Sequence, residues 1–363
     1  MSGVNWTAAF LPRSCTPLVE AAMTPDRLDA RVLALDCSAD ANRIATTLRE
    51  IVGRRFRRRG TVVALSGGVD SSVCVALAVR ALGPSRVFGL LLPERESSER
   101  STRLGRQVAQ QLGIEYRMHD LTQTLDAIGC YDQRDDAIRR IFPEYGDGWK
   151  SKIVIGGGLS GQFNFFKLVV QAPDGRTFAE RLPHPEYLQI VAAQNYKQRI
   201  RKTIEYFHAD RLNFAVIGTP NRLEYDQGFF VKNGDGSADV KPIAHLYKTQ
   251  VYALARHFGL PEEICTARPT TDTYSLPQGQ DEFFFALPYE QMDLALWAHD
   301  HHVPVTALAA ALAVTGDQAE LIYRDIEAKR NAALYLQAPP VLCDPYNPVP
   351  LTTTASHTGV AEH

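Results

Sequence analysis

The chain has 363 residues, of which 45% are hydrophobic and 22% charged, with a formal net charge of −2. That length can bury a large core and by itself suggests about two domains. The composition is ordinary for a globular protein, and the near-neutral balance gives no broad electrostatic reason to expect nucleic acid as a partner. No apolar stretch approaches the length of a membrane span and the N-terminus lacks a signal-peptide pattern, so we expect a cytoplasmic protein with no membrane partner. The six cysteines (15, 37, 74, 130, 265 and 343) are scattered without a CxxC pair. This spacing fits reduced thiols better than disulfides or a zinc site.

In chain order, residues 1–40 carry weak periodicity and read as an N-terminal leader. An amphipathic helix is expected from Ala41 to Arg59, its basic run Arg54–Arg59 forming a solvated end favoured by the helix dipole. Strand 61–66, helix 71–82, strand 87–92, helix 99–112 and strand 115–120 then alternate. Such alternation specifies an α/β fold, a doubly wound, Rossmann-like parallel sheet with right-handed crossovers and ligands at the carboxyl ends of its strands. Residues 130–186 break the pattern. Lys152–Ile155, Phe165–Gln171 and Thr177–Leu182 read as strands, the last two joined by a turn at Pro173-Asp174-Gly175, giving an inserted antiparallel β element. The sheet pattern resumes with helix 187–208, strand 213–218 and helix 248–258, and C-terminal helical segments run from Tyr289 to Leu336. We therefore expect one domain over 41–336 and a flexible tail over 337–363.

The most informative segment is Thr61-Val-Val-Ala-Leu-Ser-Gly-Gly-Val-Asp-Ser-Ser72. A buried strand stops at Ser66-Gly67-Gly68, and an apolar helical pattern begins directly after Ser71-Ser72. Glycines at such a junction let the backbone approach a ligand closely, and the free N–H groups of the first helical turn face an anion. The serine hydroxyls add donors, and Asp70 supplies a carboxylate where Mg²⁺ beside phosphates needs one. No lysine follows the glycines, so this is not the GxxxxGK[ST] loop. An ordinary strand-to-helix turn with a serine cap is the bland alternative, and six matched positions in the right context weigh against it. The segment resembles the SGGxDS loop of the ATP pyrophosphatases, which split ATP into AMP and pyrophosphate. That resemblance implies an adenine nucleotide alpha hydrolase-like fold.

A second constellation runs Gly218-Thr219-Pro-Asn221-Arg-Leu-Glu224, continues through Gly228, Lys232, Gly234-Asp235-Gly236, Asp239 and Pro242, and ends at Lys248-Thr249-Gln250. With the serine-glycine loop it resembles the synthetase domain of NAD synthetases over residues 60–120 and 187–330. The resemblance implies that Ala64, Leu65, Ser66, Gly67, Gly68, Val69, Asp70, Ser71 and Ser72 enclose the ATP phosphates. It further implies that Thr219, Lys248 and Thr270 are ATP ligands and that Asp70 and Glu224 hold Mg²⁺. Taken alone, Glu224 would be read as a solvated helix carboxylate and Lys248 as a surface cation. For the second substrate, deamido-NAD, the implied ligands are Asn195, Arg199, Lys232, Asp239 and Lys329, with Asp235, Asp272 and Arg330 as further candidates. Asn195 and Arg199 are four apart and so share a helix face, and Arg199 offers a planar fork suited to carboxylate or phosphate. Arg201 reads as a surface residue. Three features depart from the family pattern: the long 130–186 insertion, Val191 where some relatives carry an aromatic, and Ala328 where the family often has histidine.

The resemblance also implies a homodimer joined through the 187–208 helix. About sixty residues precede the phosphate loop, too few for an amide-hydrolysing domain. Residue 2 is Ser rather than a nucleophilic Cys. Free ammonia is therefore the expected nitrogen source, unless a separate glutaminase supplies it. Three functions remain open at this point: an ammonia-dependent NAD synthetase, an amide synthetase with the same adenylating chemistry on another carboxylic acid, and a non-catalytic nucleotide-binding protein.

Overall fold

The computed structural model describes residues 28–156, 165–269, 274–277, 279, 284 and 287–343. Asp36 caps helix α1, Cys37–Glu50, by accepting from Ser38 N at 3.1 Å and Ala39 N at 3.0 Å. This cap starts the helix four residues earlier than the periodicity suggests, and a π-helical turn, Ile51–Arg55, ends it. Strand β1, Thr61–Ala64, follows, with Val62 and Val63 fully buried. Next come α2 (Val69–Leu82), β2 (Val87–Leu91), α3 (Glu99–Gln111) and β3 (Glu115–Met118). The strands pair in parallel, as alternation predicts.

The region read as an inserted antiparallel element, residues 130–186, opens with a helix. A short α4, Thr122–Ala127, leads to α5, Cys130–Arg139. Helix α5 buries Cys130, Arg134, Ala137 and Ile138 at helical spacing, and the charge of Arg134 at one of those inward positions obscures the pattern in sequence. Strands β4 (Lys150–Gly156), β5 (Phe165–Gln171) and β6 (Thr177–Arg181) then form the expected antiparallel sheet in the order β4-β5-β6. Gly175 supplies the φ of 87° that its tight turn requires. Ile153, Leu168 and Val170 on one face of this sheet pack with Ala137 and Ile138 of α5.

The 29-residue helix α6, His184–Leu212, returns the chain to the main sheet. The edge strand β7 is only Ala215–Val216, because Asn213 adopts the left-handed conformation (φ 54°) that ends α6. The parallel sheet runs β3-β2-β1-β7. One face is covered by α1, α2 and the helix α8, Lys248–His257, through residues such as Leu48, Leu77 and Leu254. The other face is covered by α5 and α6, with Val62, Phe88 and Leu90 packed against Tyr131, Ile204 and Ala209. Short α7 (Arg222–Gln227) precedes α8 and α9 (Glu262–Cys265) follows it. Helices α10 (Tyr289–Asp300), α11 (Val305–Leu312) and α12 (Gly316–Gln337) form a further layer. Leu33, from the segment read as a leader, is buried in that layer's core. The tail beyond Cys343 lies outside the described residues, and no single helix among the described residues is long and apolar enough to cross a membrane.

Near the end of α6, His208 is 1% exposed and stacks on Phe88 with centroids 5.1 Å apart. Arg211 Nε donates to His208 Nδ1 at 2.8 Å, which leaves its Nε2–H to donate to His119 Nε2 at 2.9 Å. Only neutral His208 satisfies both bonds. Burial, then the charges of Arg211, His119 and Arg117, push its pKa down to about 4. The folded value lies below the unfolded one, so the stability contributed is complete above about pH 6.5 and lost as the pH falls toward 4. We expect urea unfolding across that window to lose about 3 kcal/mol from this group. In His208→Gln, which cannot take up a proton, that loss should vanish, and an unchanged pH profile in the variant would refute the assignment.

Candidate active site

The phosphate loop is held open by its own side chains. Gly67 has φ 76°, and a Cβ there would lie 2.2 Å from Ser101 O of α3, so only glycine fits. Ser66 Oγ accepts from Gly68 N at 3.3 Å and lies 3.1 Å from Ser71 Oγ. Ser71 and Ser72 hydroxyls both donate to Gly68 O, at 3.0 and 2.8 Å. Ser72 is thereby a brace beneath the loop, while Ala64 through Ser71 line a cleft of about 890 Å³.

Asp70, Glu224 and Lys248 meet at the base of this loop. Lys248 Nζ donates to Asp70 Oδ2 and lies 3.5 Å from Glu224 Oε1. Lys248 is only 2% exposed and Glu224 9%, which rules out both the surface cation and the solvated carboxylate. Burial alone would lower the Lys248 pKa, but Asp70 and Glu224 outweigh it and raise the value above the ordinary range. As the first residue of α8, Lys248 places its charge at the unfavourable end of the helix dipole. Asp293 offsets this from α10, accepting from Lys248 N at 3.2 Å and Thr249 N at 2.7 Å. Burial raises the Asp293 pKa to about 7 against the opposing pull of these bonds.

Asn221 is fully buried, caps α7, and ties the two carboxylates together. Its Nδ2 donates to Asp70 Oδ1 at 2.9 Å, and its backbone N donates to Glu224 Oε2 at 3.2 Å. Among the described residues no group of three or more His, Cys, Asp or Glu converges as a metal cluster. Asp70 and Glu224 nevertheless reach the same ammonium, so two carboxylates share one cation position. That donor set suits Mg²⁺, which takes one or two carboxylates and completes its shell with phosphate and water.

The cleft continues along α6, where Asn195 and Arg199 line it, and Thr219 lines it at the end of β7. Arg199 Nε donates to Lys232 O at 3.3 Å. Lys232 also lines the cleft, but its ammonium donates to Tyr335 O at 2.7 Å and sits 4.1 Å over the Tyr335 ring. Asp235 lines the cleft and accepts from Val231 N at 2.8 Å, with burial raising its pKa. Arg201, read as a surface residue, instead lines the cleft and donates from Nε to Leu92 O at 3.2 Å.

Other candidates lie apart from this wall. Asp239 Oδ2 accepts from Val216 N at 2.7 Å and so clamps edge strand β7. Lys329 donates to Phe284 O at 2.6 Å and to Asp325. Arg330 ties α12 to Asp226 of α7 and Asp300 of α10. Thr270 and Asp272 lie outside the described residues.

A buried ionic network holds α6 in place. Lys197, with no exposed surface, pairs with Glu94 at 3.1 Å and with Glu96, while Arg134 pairs with Glu96 and Tyr131 Oη donates to Glu94 at 2.8 Å. Burial acts to raise the Glu96 pKa, but Lys197 and Arg134 hold it below the usual value. The network pins the helix bearing Asn195 and Arg199 to the loop that follows β2.

The NAD synthase family profile matches residues 41–140 and 169–332. An NH(3)-dependent NAD(+) synthetase of Rhizobium meliloti is 56% identical over 317 residues, 87% of this chain and 95% of that one. The corresponding protein of Mesorhizobium japonicum is 55% identical over 312 residues, 86% of this chain and 98% of its own. Among solved structures, NH3-dependent NAD synthetase from Campylobacter jejuni, in complex with the nitrate ion, superposes with a TM-score of 0.55. That similarity, at 19% identity over 85% of this chain and 100% of the other, concerns the fold. The shared Rossmann-like scaffold, the extent of the profile and the high identity to the rhizobial proteins agree, and the chain belongs to the NAD synthase family.

Proposed function

We propose that the protein is an ammonia-dependent, AMP-forming NAD(+) synthase that amidates deamido-NAD. The observation that carries this is the meeting of Asp70, Glu224 and Lys248 beneath the Ser66–Ser71 loop, in one cleft that runs on to Asn195 and Arg199. The loop N–H groups and Lys248 hold the ATP phosphates. The nicotinate carboxylate attacks the α-phosphorus, the bond to the β-phosphate oxygen breaks, and pyrophosphate leaves. Ammonia then attacks the acyl-adenylate carbonyl, AMP departs with the bonding electrons, and the nitrogen loses its extra proton as the amide forms. Mg²⁺ held by Asp70 and Glu224 would offset the negative charge that gathers on the leaving pyrophosphate. Arg199 and Asn195 hold the pyrophosphate of the dinucleotide and so orient the acid-bearing end toward the loop.

Helix α6 supports a homodimer. Leu188, Tyr196 and Phe207 are 52%, 38% and 60% exposed and share one stripe with Ala192, Arg199 and Thr203, a mixed face whose large apolar side chains a second copy would cover. Reduced cysteines fit a cytoplasmic enzyme, and ammonia enters free in solution. Purified enzyme given ATP, Mg²⁺, ammonium and deamido-NAD should release AMP and pyrophosphate in equal amounts with NAD. Stoichiometric ADP and phosphate, or turnover of another carboxylic acid in preference to deamido-NAD, would end this reading. A monomeric mass in light scattering at full activity would remove the dimer.

A further inference from the structure

Where the insertion reaches the cleft, the wall changes character. Phe166 of β5 and Tyr187 of α6 stack with centroids 4.3 Å and planes 12° apart, and both line the cleft together with Val191 and Tyr274. The insertion also holds this aromatic wall from behind. Leu276 N donates to Ser151 O at 3.2 Å, and Ser151 N donates to Ser275 Oγ at 2.8 Å, which fastens the segment next to Tyr274 onto β4. Two helical turns beyond Tyr187, Gln194 lines the same cleft at 7% exposure, and among the described residues neither its Oε1 nor its Nε2 has a hydrogen-bond partner. A buried amide left wholly unpaired is destabilising unless a ligand completes it.

Position along α6 indicates which ligand. Arg201 bonds Leu92 O just past the end of β2, so that part of the helix stands level with the carboxyl edge of the sheet and the phosphate loop. Tyr187 lies fourteen residues further up, about 21 Å along the axis. The acid-bearing ring must reach the α-phosphate of ATP at the loop. The aromatic end therefore faces the opposite terminus of an extended dinucleotide, with Asn195 and Arg199 between the two for its pyrophosphate.

We propose that Phe166, Tyr187 and Gln194 form the seat of the adenine ring of the dinucleotide substrate, an inference that rests on the deamido-NAD reading above. Aromatic faces stack on a base, and a glutamine amide matches the adjacent donor and acceptor of adenine, its Oε1 accepting from N6–H and its Nε2 donating to N7. Phe166 falls in the stretch 141–168 that the family profile leaves unmatched, so the insertion contributes to substrate recognition.

The test uses the full chain with saturating ATP, Mg²⁺ and ammonium, comparing deamido-NAD with nicotinic acid hypoxanthine dinucleotide, in which the adenine amino group is replaced by a carbonyl. Wild type should favour the adenine compound in kcat/KM by about tenfold or more, as good bidentate pairs discriminate bases. Gln194→Leu should bring the two within about twofold of each other. Phe166→Leu should raise KM about tenfold for both, with kcat and the KM for ATP little changed, and Phe166→Trp should restore it. Equal turnover of both compounds by wild type, discrimination that survives Gln194→Leu, or a Phe166→Leu loss confined to kcat or to ATP would each overturn the proposal. Failure of wild type to amidate deamido-NAD at all would instead strike the functional reading.

Discussion

Replacing Asp70 with Asn should lower kcat by about 10²–10³, the loss typical of removing one group that stabilises transition-state charge. The substituted side chain can still accept from Asn221, so the loop keeps its support, but its amide then points N–H groups at the Lys248 ammonium that Asp70 Oδ2 now binds. What disappears is the negative charge shared by Lys248 and the proposed Mg²⁺. The far-ultraviolet circular dichroism spectrum should stay that of the wild type, because β1 and α2 are fixed by burial of Val62, Val63, Val73 and Leu77 and not by this carboxylate. Single-turnover AMP release separates the chemical step from product release, and a rate within about fivefold of wild type would place Asp70 outside the reaction.

The parts of the site legible in sequence are contiguous or share a fixed local spacing. Ser66 through Ser71 state the loop outright, because glycine, hydroxyl and carboxylate must follow one another for the turn to form. Glu224 and Lys248 were identifiable only through their spacing within a family resemblance, since each alone looks like a surface charge. The groups that place them were not legible. Asn221 acts on Asp70 across 151 positions and Lys197 on Glu94 across 103. Such pairings leave no trace in hydrophobic period, because polar residues at inward positions read as breaks in the pattern. Arg134 hid α5 in the same way.

Asp239 and Arg330 illustrate the converse. Both have the charge a dinucleotide ligand needs, and in the fold each also serves a structural contact, Val216 N donating to the first and Asp226 with Asp300 pairing with the second. Residue type reveals what a side chain can bind, and only the fold decides whether a protein group already holds it. The insertion was recognised as antiparallel from its turn at Pro173-Asp174-Gly175 and its alternating strands. Its reach into the cleft through Phe166 depends on how its sheet packs against α5 and α6, which no local signal encodes.

Lys248→Met tests whether Asp70 and Glu224 share one cation position. Methionine roughly fills the volume of the buried lysine stem but leaves two carboxylates facing each other without a counter-charge. Breaking a buried ion pair from one side costs about 3–5 kcal/mol, and the partial exposure of the Asp70 and Glu224 side chains, 17% and 12%, places this case at the lower end. Millimolar Mg²⁺ should relieve the repulsion, raising the Tm of the variant by several degrees more than that of the wild type, whose lysine already neutralises part of the charge on the two carboxylates. Turnover should remain depressed by about 10² or more even with Mg²⁺, because the ammonium proposed to meet the phosphates is gone. A Tm deficit insensitive to Mg²⁺ would show that the two carboxylates act separately, and the metal assignment would fall while the proposed role of the Ser66–Ser71 loop stood.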